Sequence, residues 1–408
     1  MKKKSSAGNA AIWWALVVLS LAGIGWILVR TSREAAESAA SGLATNRVDF
    51  SRATNLLDWL KTNIALKPEP APTPTVSTNA VVLRPTNRIT LKPTNLFAPA
   101  PSIVAASSAV SMVKPPSNNV STALRPIRDI MEAQIALERL AISSGPVDGV
   151  HGAQTRAALR AFQWQNDLDQ TGDLDDATRA ALKIADPVYT NHVVTSGDLA
   201  RLRATPELWL EKSRMDVLDY ETILELVAET HHASQTLVRK LNPLVNWTNV
   251  LPQTVVKVPL AVRAPAKRKA GFLRIELAGK ILQAFDAKTN LIAHFPCSIA
   301  ARVEKRPWGL LSVVTAAHNP NYTFDPGVFP ESEEAQEIGR KLIIPPGPNN
   351  PVGVAWISLD KPGYGIHGTP KPEQVGRTES HGCFRLANWN AEYLLKICWA
   401  GLPVYVVP

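Results

Sequence analysis

Cysteine is scarce in this chain, with three in 408 residues, at positions 297, 383 and 398. An odd, scattered set is no disulfide framework, and no two lie at the close spacing of a metal-binding pair. Charge is sparse too, at 19% of residues, and the net +9 is spread along the chain. No basic run is interleaved with aromatics, so nucleic acid is not an expected partner. A mild basic excess suits anionic wall polymers or lipid headgroups. The short Lys267-Arg268-Lys269 run reads as solvated linker. Hydrophobic residues, at 45%, suffice for cores, and this length implies two or three small domains plus linkers.

What is present begins with an address. Lys2, Lys3 and Lys4 precede an uncharged apolar run from Ala11 to Val29, closed by Arg30. At about 1.5 Å of rise per residue, such a run can cross a bilayer core. The lysines predict a cytoplasmic tail over residues 1–10, a transmembrane anchor over 11–29 and export of the rest to the periplasm or cell-wall space. A signal peptide cleaved near Ser38-Ala39-Ala40 is the competing expectation. Residues 30–126 read as a Pro-rich disordered linker. From Leu66 onward aromatics nearly vanish, and stretches such as Lys67-Pro68-Glu69-Pro70-Ala71-Pro72 cannot bury enough apolar surface to offset ordering entropy.

Residues 127–186 carry helical periodicity. Ile130, Leu137, Leu140 and Ala141 recur at helical spacing before Gly145-Pro146-Val147-Asp148-Gly149 breaks the pattern. Helices restart at Thr155 to Gln163 and at Asp175 to Leu182, which predicts three short helices around Leu137, Leu140, Leu159, Phe162 and Leu182. Asp148 and His151 share the turn, but Asp in such turns bonds its own backbone and no third ligand is in view, so no metal is expected. The Val147-Asp148-Gly149-Val150-His151-Gly152 turn, Thr155-Arg156-Ala157-Ala158 and Phe162-Gln163 resemble the three-helix peptidoglycan-binding domain.

Residues 189–261 read as strand, two helices and strand. Gly197-Asp198, Leu241-Asn242-Pro243 and Val256-Lys257-Val258-Pro259 resemble a LysM-type glycan-binding module, with Leu199 to Asp219 standing out as an insertion. From residue 271 to 408 strands dominate. Leu273 to Leu277 alternates, a Gly279-Lys280 turn leads into Ile281 to Phe285, and Val352 to Leu359, Tyr364 to His367 and Val404 to Val407 follow. Helices are expected at Glu331 to Gly339, whose acidic part Glu331 to Glu337 is a candidate lid, and at Ala391 to Cys398.

The chemistry sits near the C-terminus, in Gly365-Ile366-His367-Gly368 and Ser380-His381-Gly382-Cys383-Phe384-Arg385-Leu386. Cys297 and Cys398 lie in apolar surroundings, as buried inert thiols do, whereas Cys383 follows a glycine among polar residues. A thiol attacks a carbonyl as thiolate, and a nearby imidazole can take its proton. His367 ends a strand-like run that can aim it, so it is the expected base and later acid. His381, two residues from Cys383, shapes the loop. Gly382 allows a sharp turn, and the amides of His381, Gly382 and Cys383 are candidates for an oxyanion hole. Arg385 suits a substrate carboxylate or a structural ion pair, and Ser380 is a candidate substrate contact.

The His-Gly pair, the variable stretch and the Ser-His-Gly-Cys-Phe-Arg-Leu run resemble the signature of the L,D-transpeptidases, the YkuD domain. Arg306-Pro307-Trp308-Gly309 and Ile344 to Pro351 extend the resemblance, while Asn388-Trp389-Asn390 departs from it where an acidic residue often follows. The resemblance implies a mainly β catalytic domain of sandwich type, Cys383 as nucleophile, His367 as proton acceptor and the Gly368 carbonyl orienting the imidazole. It also implies no metal or organic cofactor, and peptidoglycan stem peptides and glycan as partners. Stems would be cleaved at the L-centre carbonyl before a terminal D-residue, and the acyl group passed to a second stem to give a 3→3 cross-link, or to another amine. Transfer to water, giving an L,D-carboxypeptidase or endopeptidase, and a non-catalytic wall-binding adaptor stay open.

Overall fold

The structure, a computed structural model, describes residues 123–408 apart from 330–331 and 379–381. The expected tail and anchor, nearly all of the linker, and the site candidates Ser380 and His381 lie outside the described residues. Among the described residues no helix is long and apolar enough to cross a membrane.

The first module starts earlier than its periodicity suggests. Leu124–Pro126, assigned above to the linker, forms strand β1. Helices α1 (Ile130–Arg139), α2 (Ala153–Gln165) and α3 (Asp176–Ala181) follow, and β2 (Lys183–Ala185) returns antiparallel to β1. Arg125 draws this edge in by bridging Glu132 and Asp186, with bonds of 2.7 and 2.8 Å. Side chains of Asp129 and Asp175 cap α1 and α3 by accepting from the amides of Glu132 and Thr178. Leu137, Leu159, Phe162 and Leu182 fill the core as expected. Leu140 does not: it is the residue that ends α1, which turns its side chain out to 53% exposure. Asp148 serves its own turn, its Oδ1 accepting from the amide of Val150 and from Gln134 Nε2.

The second module pairs β3 (Tyr189–Val193) antiparallel with β4 (Val255–Pro259). Between them run α4 (Ser196–Ala200), α5 (Trp209–Lys212), α6 (Ile223–Thr230) and α7 (Gln235–Leu241). The insertion that breaks the LysM-like pattern is therefore largely α5 and its flanking turns. It has a core of its own. Leu218, with Trp209, Leu210 and Met215 beside it, packs against Phe324, Ala335, Leu342 and Ile344 of the next domain.

That domain holds β5 (Phe272–Glu276), β6 (Ile281–Phe285), β7 (Leu291–Pro296), β8 (Gly309–His318), β9 (Tyr322–Phe324), α8 (Glu333–Ile338), β10 (Leu342–Ile344), β11 (Ala355–Leu359), β12 (Gly365–His367), β13 (Phe384–Arg385), α9 (Asn388–Ile397) and β14 (Pro403–Val407). Eight strands form one sheet in the order β13-β12-β11-β8-β14-β5-β6-β7. Backbone bonds between Ser298, just past β7, and Arg385 in β13 join the two ends of that sheet. The sandwich expected from the resemblance is thus one sheet curled on itself. Leu273, Ile275, Leu282, Phe295, Ile357, Ile366 and Phe384 fill its interior, together with Leu394 and Ile397 of α9. β9 and β10 pair apart from it and, with α8, form the flap that meets the insertion.

Candidate active site

Alternation along two short parallel strands sets the geometry. In β12 and β13, Ile366 pairs with Phe384 and His367 with Arg385. Ile366 and Phe384 are fully buried in the core, so the residues on either side of them face the other way. Gly365, His367, Cys383 and Arg385 therefore share one face at the end of the sheet. The thiol answers to this company: the Gly365 backbone bonds to it, and the Arg385 charge acts on it. Its Sγ also lies 3.5 Å from the Gly363 carbonyl.

The imidazole of His367 is held on two sides. Its Nδ1 lies 2.6 Å from the Gly368 carbonyl, which can only accept, so Nδ1 carries the proton and Nε2 is left as a base. Trp356, across β11, stacks on the ring at 5.6 Å between centroids. Burial pushes His367 down to about 4, with the bond to Gly368 opposing and the Arg385 charge adding to the fall. Burial likewise pushes the Cys383 thiol up, while the Gly365 backbone and Arg385 pull it back. Both shifts favour a neutral thiol and a neutral imidazole over an ion pair.

Arg385 also lines a cavity of about 260 Å³ that runs to Trp209, Lys212, Ser298, Thr369 and Lys371. Burial pushes the Tyr322 hydroxyl of the flap up, with the charges of Cys383 and Asp325 adding and that of Arg385 opposing. The lid expected at Glu331 to Glu337 is in part helix α8, which braces this flap through Ala335. Gly382 has no left-handed φ, and a Cβ there would meet only the Tyr364 ring, at an ordinary 3.7 Å, among the described residues. Among the described residues, neither backbone conformation nor crowding requires a glycine there. Cys297 and Cys398 are buried, as expected, and burial drives both thiols upward, Cys398 to about 12.

Several residues that build the site escape a reading of the sequence. Asn388 opens α9, and its Oδ1 accepts from the amides of Thr369 and Val354 at 3.0 and 3.3 Å. Gly353 and Gly368 press against that same oxygen so closely that neither could carry a Cβ. The one hint in sequence is the pair of asparagines, Asn388 and Asn390, at the head of the helix. Nothing local marks Trp356, Tyr322 or Lys212, which arrive from distant segments.

The domain that carries these residues resembles known ones. Residues 272–406 match the L,D-transpeptidase catalytic domain. Residues 128–182 match the peptidoglycan-binding domain family. A candidate L,D-transpeptidase of Bacillus licheniformis, YkuD, is 24% identical over 46% of this chain and 94% of its own length. A second candidate L,D-transpeptidase, from the ATP synthase region of Fuscovulum blasticum, is 31% identical over 28% of this chain. The chain spans 57% of the length of that relative. A crystal structure of an L,D-transpeptidase from Xylanimonas cellulosilytica aligns with 72% of this chain and all of its own, at 14% identity and a TM-score of 0.30. The transpeptidase domain here is thus mainly β and follows a helical peptidoglycan-binding domain, and residues 189–261 lie between the two matched regions.

Proposed function

We propose that the chain is a cysteine-dependent L,D-transpeptidase acting on peptidoglycan tetrapeptide stems. The observation that carries this reading is the shared face of Cys383, His367 and Arg385, with Nδ1 of the imidazole committed to Gly368. His367 Nε2 takes the thiol proton as Sγ attacks the carbonyl of the L-centre residue before the terminal D-residue. The C–N bond then breaks, the imidazolium returns its proton to the departing D-alanine amine, and a thioester remains on Cys383. An amine of a second stem, or another acceptor, attacks that thioester and gives up a proton to His367 as the C–S bond breaks. Amides of the 381–383 loop would hold the oxyanion in both steps.

The peptidoglycan-binding domain would hold the enzyme on its polymer, and the second module would add glycan contacts. The apolar run over 11–29 would tether the assembly outside the membrane. Incubating the protein with disaccharide-tetrapeptide and weighing the products tests the reading. Cross-linked dimer with loss of D-alanine is expected. Tripeptide alone would make the enzyme a carboxypeptidase, and a Cys383→Ala chain with full activity would refute the mechanism.

A further inference from the structure

We infer that the second module contributes to the active site, and that Lys212 of its insertion, with Lys371, forms a subsite for a substrate carboxylate. The charged residues lining the cavity at Arg385 are Lys212, Lys371 and Arg385, and no acidic side chain is among its described lining. On their other side the two lysines border a second cavity that Glu221, Glu225, Glu229 and Glu373 line. Lys212 comes from α5, which reaches the cavity because Trp209 stacks on Phe324 of the flap at 4.6 Å. Its ammonium lies over the Trp209 ring at 4.9 Å and donates to the Glu207 carbonyl at 3.1 Å. Burial lowers its affinity for the proton, Lys371 adds repulsion, and Glu334, Glu207 and Glu221 oppose. Neither lysine has a carboxylate within ion-pair distance among the described residues. Two like charges facing a half-enclosed space favour an anion between them, and a stem peptide supplies carboxylates.

This inference rests on the transpeptidase reading for its ligand, so binding is measured apart from turnover. The Cys383→Ala full chain is titrated with the tetrapeptide stem and with its carboxamide form. The acid should bind about tenfold tighter, and Lys212→Gln should remove most of that preference while leaving carboxamide binding unchanged. Equal binding of the two forms, or a preference that survives both Lys212→Gln and Lys371→Gln, would overturn the subsite. Discriminated binding without turnover by the native chain would instead sink the transpeptidase reading and leave the subsite standing.

From an independent set of hydrogen bonds we infer that Glu229 of α6 is a positioning residue for His367. Glu229 is buried, and its Oε1 accepts from Asn388 Nδ2 at 2.9 Å and from the Tyr220 hydroxyl at 3.3 Å. An acceptor there, with the Pro348 carbonyl at 3.1 Å, commits the Asn388 amide nitrogen to one side. Its oxygen then must face Thr369 N, next to Gly368, whose carbonyl orients the His367 ring. The test is the rate at which iodoacetamide alkylates Cys383, which needs no transpeptidase turnover. Glu229→Gln keeps an acceptor and should alkylate within about twofold of the native chain, while Glu229→Leu should be slower by about tenfold. A purely structural role would lower the unfolding temperature of Glu229→Leu and leave this rate intact at temperatures where it is folded; that result would overturn the assignment.

Discussion

At the scale of the residue, the site works through opposed burial effects. Burial keeps a second proton off the His367 imidazole above about 4 and pushes the Cys383 thiol up, so both shifts favour the neutral pair until substrate is attacked. Alkylation of Cys383 should therefore climb with pH through and beyond the usual thiol range, with no inflection near the ordinary histidine value. Arg385→Gln removes a cation that favours the thiolate and should slow alkylation at pH 7 by roughly three- to tenfold, shifting the profile to higher pH. Both are read by mass spectrometry, because Cys297 and Cys398 are buried. The identity of Cys383 and His367 was legible in the sequence, since a glycine-flanked thiol among polar residues is locally distinctive. The support from Asn388 and Glu229 was not, because a hydrogen bond across 159 positions leaves no local pattern.

At the scale of the element, the flap and the insertion stand or fall together. Trp209 stacks on Phe324 and meets Tyr322 and Phe329 at 6.0 and 5.8 Å. Trp209→Ala should cost about 2–4 kcal/mol at this contact, a little less than for a fully buried tryptophan. Hydrogen exchange should rise over 322–324 and 342–344 while the eight-stranded sheet keeps its protection. Retained protection in the flap would show that the insertion does not brace it. The strands themselves were readable from alternation, β4 and β14 almost to the residue. β12 was read within Tyr364 to His367, but β13 and its parallel pairing with β12 were not, because a two-residue strand carries too few positions to show a period.

At the scale of the molecule, the three modules share one buried charge cluster. Glu138 of α1 meets His232 of the second module at 2.8 Å and Arg263 of the following linker, which also donates to Asn390 of α9. Burial alone would push the Glu138 carboxyl up, but Arg263 and His232 hold it below its ordinary range. Arg263→Ala strands that carboxylate and should cost about 3–5 kcal/mol, seen as a lower unfolding temperature and as new protease cleavage between modules. A second expectation concerns acid. Burial depresses His367 to about 4 and His294 to about 3. In the window from the ordinary histidine value near 6.5 down to those values, the unfolded chain binds protons that the native one refuses. The contribution of these histidines, and of His231, which burial also lowers to about 4, should be complete above pH 6.5 and fall by up to ~1.4 kcal/mol per pH unit for each group as pH drops toward 4. Buried Glu229, raised to about 8, opposes one of them by losing stability as pH rises from about 4.5 toward 8, and thermal unfolding across that range reads the sum.

By itself the sequence determined a helical peptidoglycan-binding module, a strand-rich C-terminal domain of transpeptidase type, and the thiol and imidazole proposed for its chemistry. Each of these is written in local composition, period or motif, and needs only a few adjacent residues to be seen. Tertiary structure decided the rest: that one sheet closes through Ser298 and Arg385, that the insertion at 199–219 forms a wall of the cavity, and that Glu229 and Asn388 hold the loop beside His367. Those outcomes depend on shape and hydrogen-bond partners brought together from far along the chain. No local pattern of apolar and polar residues specifies which distant groups will meet.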